Sequence, residues 1–216
     1  MVVAIDGPAG VGKSSIAKLV AEKSGFSYLN SGSFYRAYTY LHLASGGEPS
    51  DTEGLLNRAK KTIVDVIDGR LYADGVDIED MLHTKEVDRH VAAISAYVPL
   101  RTYVNEQLIR IADNRDVIVE GRDITTVVFP NAELKVFLDA DPEIRAQRRF
   151  GQHPEGQTYQ EVLEQILARD TIDRNKEVGS LQVADDALYL DTSHLTIDAV
   201  CGKVLSAISM RKSEHK

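Results

Sequence analysis

The eight residues Gly7-Pro8-Ala9-Gly10-Val11-Gly12-Lys13-Ser14 fit the pattern G-x-x-x-x-G-K-[ST]. Its glycines let the backbone curl so that successive N–H groups face phosphate oxygens. On the N-terminal side, Val2-Val3-Ala4-Ile5 is an unbroken apolar run, as expected of a strand covered on both faces of a parallel sheet. On the other side Ile16, Leu19 and Val20 share one face of a helix predicted from Lys13 to Lys23, and Gly25 stands where a left-handed C-cap is wanted. Strand, glycine bend and helix in this order aim the positive end of the helix at a phosphate. Gly7, Pro8, Ala9, Gly10, Val11, Gly12, Lys13, Ser14 and Ser15 are therefore the expected contacts to the phosphates of a nucleotide such as ATP. Lys13 is expected on the β- and γ-phosphates and the Ser14 hydroxyl on Mg²⁺.

Short apolar runs recur at Phe26–Leu29, Val117–Val119, Lys135–Leu138 and Ala187–Leu190, separated by helical pattern. That alternation predicts an α/β fold with a parallel five-stranded sheet flanked by helices and right-handed crossovers. Asp141-Pro142 places an N-cap before a first-turn proline and opens a helix carrying Arg145, Arg148 and Arg149 on one face. Thr158-Tyr159-Gln160-Glu161 is a capping box ahead of Val162, Leu163, Ile166 and Leu167. The Gly- and Pro-containing stretch 151–157 joins these helices into a predicted mobile lid over residues 142–175. Between Gly46 and Thr84 the α/β rhythm stops. Asp68-Gly69 and Asp74-Gly75 punctuate Ile63–Ile67, Arg70–Ala73 and Val76–Ile78, which predicts a small antiparallel meander at about 63–78. It sits within an insert, 37–100, in an otherwise single domain spanning 1–216.

Composition narrows the function. The 216 residues hold 25 Lys+Arg against 33 Asp+Glu, a net charge of −8, and this acidic balance argues against nucleic acid as the partner. One Cys excludes a disulfide framework, no apolar run approaches a membrane span, and the opening Met-Val-Val-Ala-Ile-Asp is no signal sequence. A cytoplasmic monomer is expected. The six His residues show no ligand spacing. Basic residues instead cluster at Arg145-Arg148-Arg149 and Arg169-Arg174-Lys176, either as solvated helix faces or against a small anion.

A phosphate cradle does not say where the γ-phosphate goes. A GTPase switch needs a guanine-reading Asn-Lys-x-Asp after a strand, and the only Asn-Lys pair, Asn175-Lys176-Glu177-Val178, lacks the Asp. A hydrolysing switch module of another kind remains open. A kinase of small anionic acceptors needs a second set of cations, and Arg36, Arg101, Arg122, Arg169 and the arginine helix can supply it. Phosphoryl transfer asks chiefly for in-line positioning and neutralisation of spreading charge, for which bidentate guanidinium groups are suited.

Four segments in order carry a family resemblance: Gly7–Ser14; Asn30-Ser31-Gly32-Ser33-Phe34-Tyr35-Arg36; Glu120-Gly121-Arg122-Asp123 with Thr126-Val127-Val128-Phe129-Pro130; and Arg169-Asp170 with Asp173-Arg174-Asn175. Together they resemble the signature of the bacterial cytidylate kinases, over nearly the whole chain. The resemblance implies transfer of the ATP γ-phosphate to CMP or dCMP with Mg²⁺; a kinase of the same fold acting on UMP is the alternative. It puts Ser31, Arg101 and Asp123 near the cytosine, and Arg36, Gly121, Arg122 and Lys176 toward the acceptor phosphate. It puts Arg169 and Asp173 toward the sugar and the transferring phosphates, and Lys13, Arg122, Arg169 and Asp173 in catalysis. Chemistry supports Asp123 independently, because a carboxylate accepts from the exocyclic amino group of cytosine and repels the carbonyl of uracil. The chain departs from the family at Ala92, where Ser is usual, at Asn30 for Asp, at Thr125 for Gly, and at Lys176 for an Arg, which keeps the charge but loses the fork.

Tyr35, Tyr38 and Tyr40 are expected to pack rather than stack on a base. Cys201, within the apolar pattern Ile197–Ile208, is expected to be a buried small hydrophobe.

Overall fold

The computed structural model describes residues 1–152 and 156–214. In chain order the first elements are β1 (Val2–Asp6), α1 (Lys13–Ser24), β2 (Ser27–Asn30), α2 (Ser31–Ala44) and α3 (Thr52–Lys61). Then come β3 (Val64–Ile67), β4 (Arg70–Ala73), β5 (Val76–Asp77), α4 (Lys85–Ile94) and α5 (Val98–Ala112). The last are β6 (Val117–Gly121), β7 (Leu134–Asp139), α6 (Pro142–Phe150), α7 (Tyr159–Arg174), β8 (Leu188–Asp191) and α8 (Ile197–Glu214). They fall into two compact units: residues Met1–Tyr28 with Arg115–Lys216, and residues Leu29–Asn114.

The first unit is built on a five-stranded parallel sheet of order β2-β6-β1-β7-β8. β1 lies at its centre, with Ile5 opposite Glu120 on β6 and Val136 on β7. Val3, Ala4 and Ile5 are all fully buried, which is why this strand is apolar without alternation. Val3, Ile5, Val136 and Leu138 pack with Ile16 and Val20 of α1 and with Val200, Cys201 and Val204 of α8. Cys201 is thus a core residue, and burial raises its thiol pKa. α1 ends at Gly25, left-handed at φ 72°, whose N–H donates to the Ala21 carbonyl. α7 begins with the expected capping box, the Thr158 hydroxyl accepting from the Glu161 N–H while the Glu161 carboxylate accepts from the Thr158 N–H.

The second unit holds the antiparallel meander β3-β4-β5. Both its turns have two central residues with positive φ, Asp68-Gly69 at 51° and 75° and Asp74-Gly75 at 48° and 81°, matching the twist of tight hairpins. The third strand is shorter than its apolar pattern predicts, ending at Asp77 as the chain enters a 3-10 turn, Glu79–Met81. α2 packs against α3, α4, α5 and β4. Tyr38 is almost fully buried with its ring 5.8 Å from that of Tyr103, and Tyr35 is also buried, so both pack as expected.

Candidate active site

Gly7 admits no side chain, because a Cβ there would lie 2.2 Å from the Leu138 carbonyl oxygen. Gly10 and Gly12 are left-handed, at φ 77° and 95°. Gly12 is the N-cap of α1 and no side chain caps it, so the first N–H groups of the helix face the cradle without a competing side-chain acceptor. Ser14 and Ser15 lie exposed in that first turn. Lys13 is buried and its Nζ donates to the Pro8 carbonyl at 2.8 Å. Burial, and after it the positive charge of Arg122, lower the Lys13 pKa to about 7, against the opposing pull of Glu120, Asp6 and Asp173.

Arg122 follows the last residue of β6, and its Nε donates to Asp173 Oδ2 at 2.8 Å. Asp173, in the last turn of α7, is fully buried and also takes Lys176 Nζ on Oδ1 at 2.8 Å and Arg169 Nε at 3.6 Å. Burial pushes the Asp173 carboxyl upward, but Arg122 and Lys176 outweigh it and hold the group at about 2. One carboxylate thus gathers three of the cations expected at the site. Asp123, also buried, uses its carbonyl to accept from Val127 N at 2.9 Å and Val128 N at 3.2 Å, closing a π-helical turn over Ile124–Val128.

In the second unit, Ser31 is the buried first residue of α2. Asn30 caps that helix by accepting from Gly32 N at 2.8 Å, which an Asp would do equally. Arg36 donates through Nη1 to the Leu82 carbonyl at 3.0 Å and pairs with Asp88. Arg101 is buried, donates to the Ser95 carbonyl at 3.1 Å and lies 5.7 Å from the centre of the Tyr35 ring. Ala92 is exposed on α4.

The three arginines expected together in the lid divide. Arg145 is only 2% exposed: Nε donates to the Ala140 carbonyl, Nη1 to the Ala9 carbonyl, and the guanidinium forks onto Asp170 at 3.1 and 2.6 Å. It braces the glycine loop from behind and has no donor edge turned to solvent. Arg148 donates to the hydroxyl and carbonyl of Thr192, and Arg149 is exposed. Of the turn expected at 151–157, residues 153–155 lie outside the described residues. A cleft of about 510 Å³ bordered by Asp141, Arg145, Arg174 and Tyr189 contains no residue of the glycine loop.

Three buried acids of the first unit were given no role by motif reading, although Glu120 and Asp170 stand within the quoted segments. Asp170 pairs with Arg145; Glu120 accepts from the Tyr28 hydroxyl; Asp6 accepts from Ile124 N and from both the N–H and the hydroxyl of Thr125. For Asp6 and Glu120 the available signal was an acid at the end of an apolar strand, which is costly to bury unless it is satisfied, whereas Asp170 lies within α7 and carries no such signal.

The family model described as cytidylate kinase matches residues 3–210. The cytidylate kinase of Bacillus licheniformis is 37% identical over 217 residues, covering 97% of this chain and 96% of that protein. The cytidylate kinase of Clostridium tetani is 39% identical over 211 residues, covering 96% and 93%. Among solved structures, a shikimate kinase from Bacteroides thetaiotaomicron aligns with a TM-score of 0.51 at 11% identity, over 97% of this chain and 98% of that one, a likeness of fold alone. A family match over nearly the full length, together with relatives 37% and 39% identical across almost the whole chain, makes this protein a member of the cytidylate kinase family.

Proposed function

We propose that the chain transfers the γ-phosphate of ATP to CMP or dCMP, giving ADP and CDP or dCDP. The observation that carries this reading is the gathering of three cations, Arg122, Arg169 and Lys176, around the single buried carboxylate of Asp173. Like charges held together at such cost belong to a site built for a polyanion. The glycine loop and Lys13 take the donor phosphates. Arg36, Arg122 and Lys176 take the acceptor phosphate; Ser31, Arg101 and Asp123 take the cytosine; Arg169 and Asp173 take the sugar and the phosphoryl group in flight. Asp173 keeps the guanidinium of Arg122 in one orientation, so positive charge is in place before the transition state develops. Arg145 acts behind the loop, holding the Ala9 carbonyl so that the opposite face of the backbone presents its N–H groups.

The donor set fits Mg²⁺ as nucleotide kinases use it. Among the described residues no cluster of His, Cys, Asp and Glu could cage a metal, while the Ser14 hydroxyl is open to hold an ion that the phosphates otherwise ligate. Bound there, Mg²⁺ supplies charge neutralisation between the donor phosphates. Helices α6 and α7, residues 142–175, form the lid. The acidic balance and the single buried thiol suit a cytoplasmic monomer. No helix among the described residues is long and apolar enough to cross a membrane.

A coupled assay with ATP, Mg²⁺ and a panel of CMP, dCMP, UMP, AMP and shikimate tests the reading. The fastest ADP release is expected with CMP or dCMP. Turnover of UMP alone moves the assignment to the neighbouring kinase. ADP release that needs no acceptor makes the protein a switch.

A further inference from the structure

We propose that Asp6 and Thr125 form a buried lock that positions the Arg122-Asp123 segment for the acceptor nucleotide. Asp6 is the last residue of β1, fully buried, and immediately precedes Gly7 of the phosphate cradle. A carboxylate removed from water persists only where donors satisfy its lone pairs. Among the described residues, the hydrogen bonds to the side chain of Asp6 come from the two residues that follow Asp123. Oδ1 accepts from Ile124 N at 3.0 Å; Oδ2 accepts from Thr125 N and from Thr125 Oγ1, both at 2.7 Å.

Those two N–H groups belong to the opening of the π-helical turn Ile124–Val128, where no earlier carbonyl of the turn can take them. Without Asp6 they would be buried without an acceptor, at Ile124 0% and Thr125 1% exposure. The turn is therefore seeded by the side chain of a different strand. π-turns are rare and concentrate at functional positions. Arg122-Asp123 is then held between β6 on one side and the Asp6-anchored turn on the other. Asp6 also ends the strand that launches the glycine loop, so one carboxylate ties the donor-side loop to the acceptor-side segment within the same unit.

Thr125 adds something a glycine at this position cannot. Its hydroxyl gives Asp6 a third donor, and its β-branch narrows the backbone freedom of the turn. The nearly complete burial of both side chains makes them positioning residues rather than groups that touch nucleotide. The proposal rests on the assignment of Arg122 and Asp123 to the acceptor.

Thr125→Val removes the hydroxyl at nearly constant shape, and Thr125→Ser restores it. The valine variant is expected to raise the Kd of CMP, measured by calorimetry without ATP, and the KM for CMP by about threefold to tenfold, the scale of one hydrogen bond. The KM for ATP should stay within about twofold, and the serine variant should bind CMP as the wild type does. Asp6→Asn, which turns an amide toward Thr125, should weaken CMP further; if it does not fold, the threonine pair decides. Unchanged CMP constants in Thr125→Val, or equal rises for CMP and ATP, overturn the proposal. Amide exchange of Ile124 and Thr125 in nucleotide-free protein separates the lock from the kinase reading. Slow exchange in the wild type that quickens in Thr125→Val supports the lock whatever the acceptor is, and equal exchange refutes it. Wild-type protein that binds no CMP refutes the kinase assignment instead.

Discussion

Asp173 balances three cations on a buried carboxylate, and its low pKa has a readable consequence. Folding lowers this group from the ordinary carboxylate value of 3.8 to about 2, because Arg122 and Lys176 outweigh the penalty of burial. A carboxyl depressed on folding contributes stability that is complete above its unfolded pKa and is lost as pH falls through its folded one. The gap in urea midpoint between wild type and Asp173→Asn should therefore be widest at pH 6 and close between about pH 4 and 2. A gap that stays constant over that range would show the carboxylate charge to be irrelevant. Lys13 belongs to the same scale. Lys13→Ala should lower kcat by about 10²–10³ while leaving the Kd of CMP unchanged, because the role proposed for its ammonium is to stabilise charge on the transferring group rather than to hold the acceptor base. Motif spacing brought Lys13 into view, and the family resemblance brought Arg122, Arg169 and Asp173. Neither brought Asp6 into view, since a lone acid after Val2–Ile5 has no spacing partner in sequence, and its donors lie more than a hundred residues away.

Among the elements, the joint between α6, α7 and the glycine loop passes through one side-chain pair. Ala146, Val162 and Ile166 supply a small apolar contact between the two helices, and beside it Arg145 and Asp170 form a forked ion pair that also reaches the Ala9 carbonyl. Removing one member of such a pair strands a buried charge. Arg145→Met should cost about 3–5 kcal/mol in chemical denaturation, and Arg145→Met with Asp170→Leu should recover much of it, because the stranded carboxylate is the larger part of the loss. A double variant no more stable than the single one would place the cost in the lost Ala9 contact. The sequence showed where these helices begin, since Pro142 in the first turn of α6 and the Thr158–Glu161 box are local signals whose energy is contained within one turn, while Asp141 stands at the N-cap without a side-chain hydrogen bond. It did not show that Arg145 is buried while Arg149 is exposed. Helical spacing gives direction around the axis, but one turn advances about 5.4 Å along it, enough to pass from beneath a loop to open solvent. The two meander turns were equally legible because Asp-Gly tolerates the positive φ they require. α3 was missed inside the segment read as a break in rhythm, although Asp51 caps it by accepting from Gly54 N at 2.8 Å.

At the level of the whole molecule, the chain leaves its first unit after Tyr28 and returns at Arg115, so residues 29–114 must bury a core of their own. They do so with Phe34, Tyr38, Leu55, Leu71, Leu82, Leu100, Val104 and Leu108, all at 2% exposure or less. The α/β alternation at either end of the sequence made the first unit readable. The second lacks that rhythm and depends on helices whose partners are distant in sequence, α2 against α4 and α5 among them. Two separately filled cores imply that local opening can be confined to one of them. Leu71, 2% exposed on β4, offers the test, because Leu71→Ala should remove about 2–5 kcal/mol from its surroundings. Amide exchange should then accelerate across residues 29–114, while the β1 and β6 amides that frame the glycine loop keep their wild-type protection and ATP binds as before. Faster exchange in β1 and β6 to the same degree would show that the two cores open as one, and that a weakened meander is felt directly by the strands that flank the proposed donor-phosphate loop.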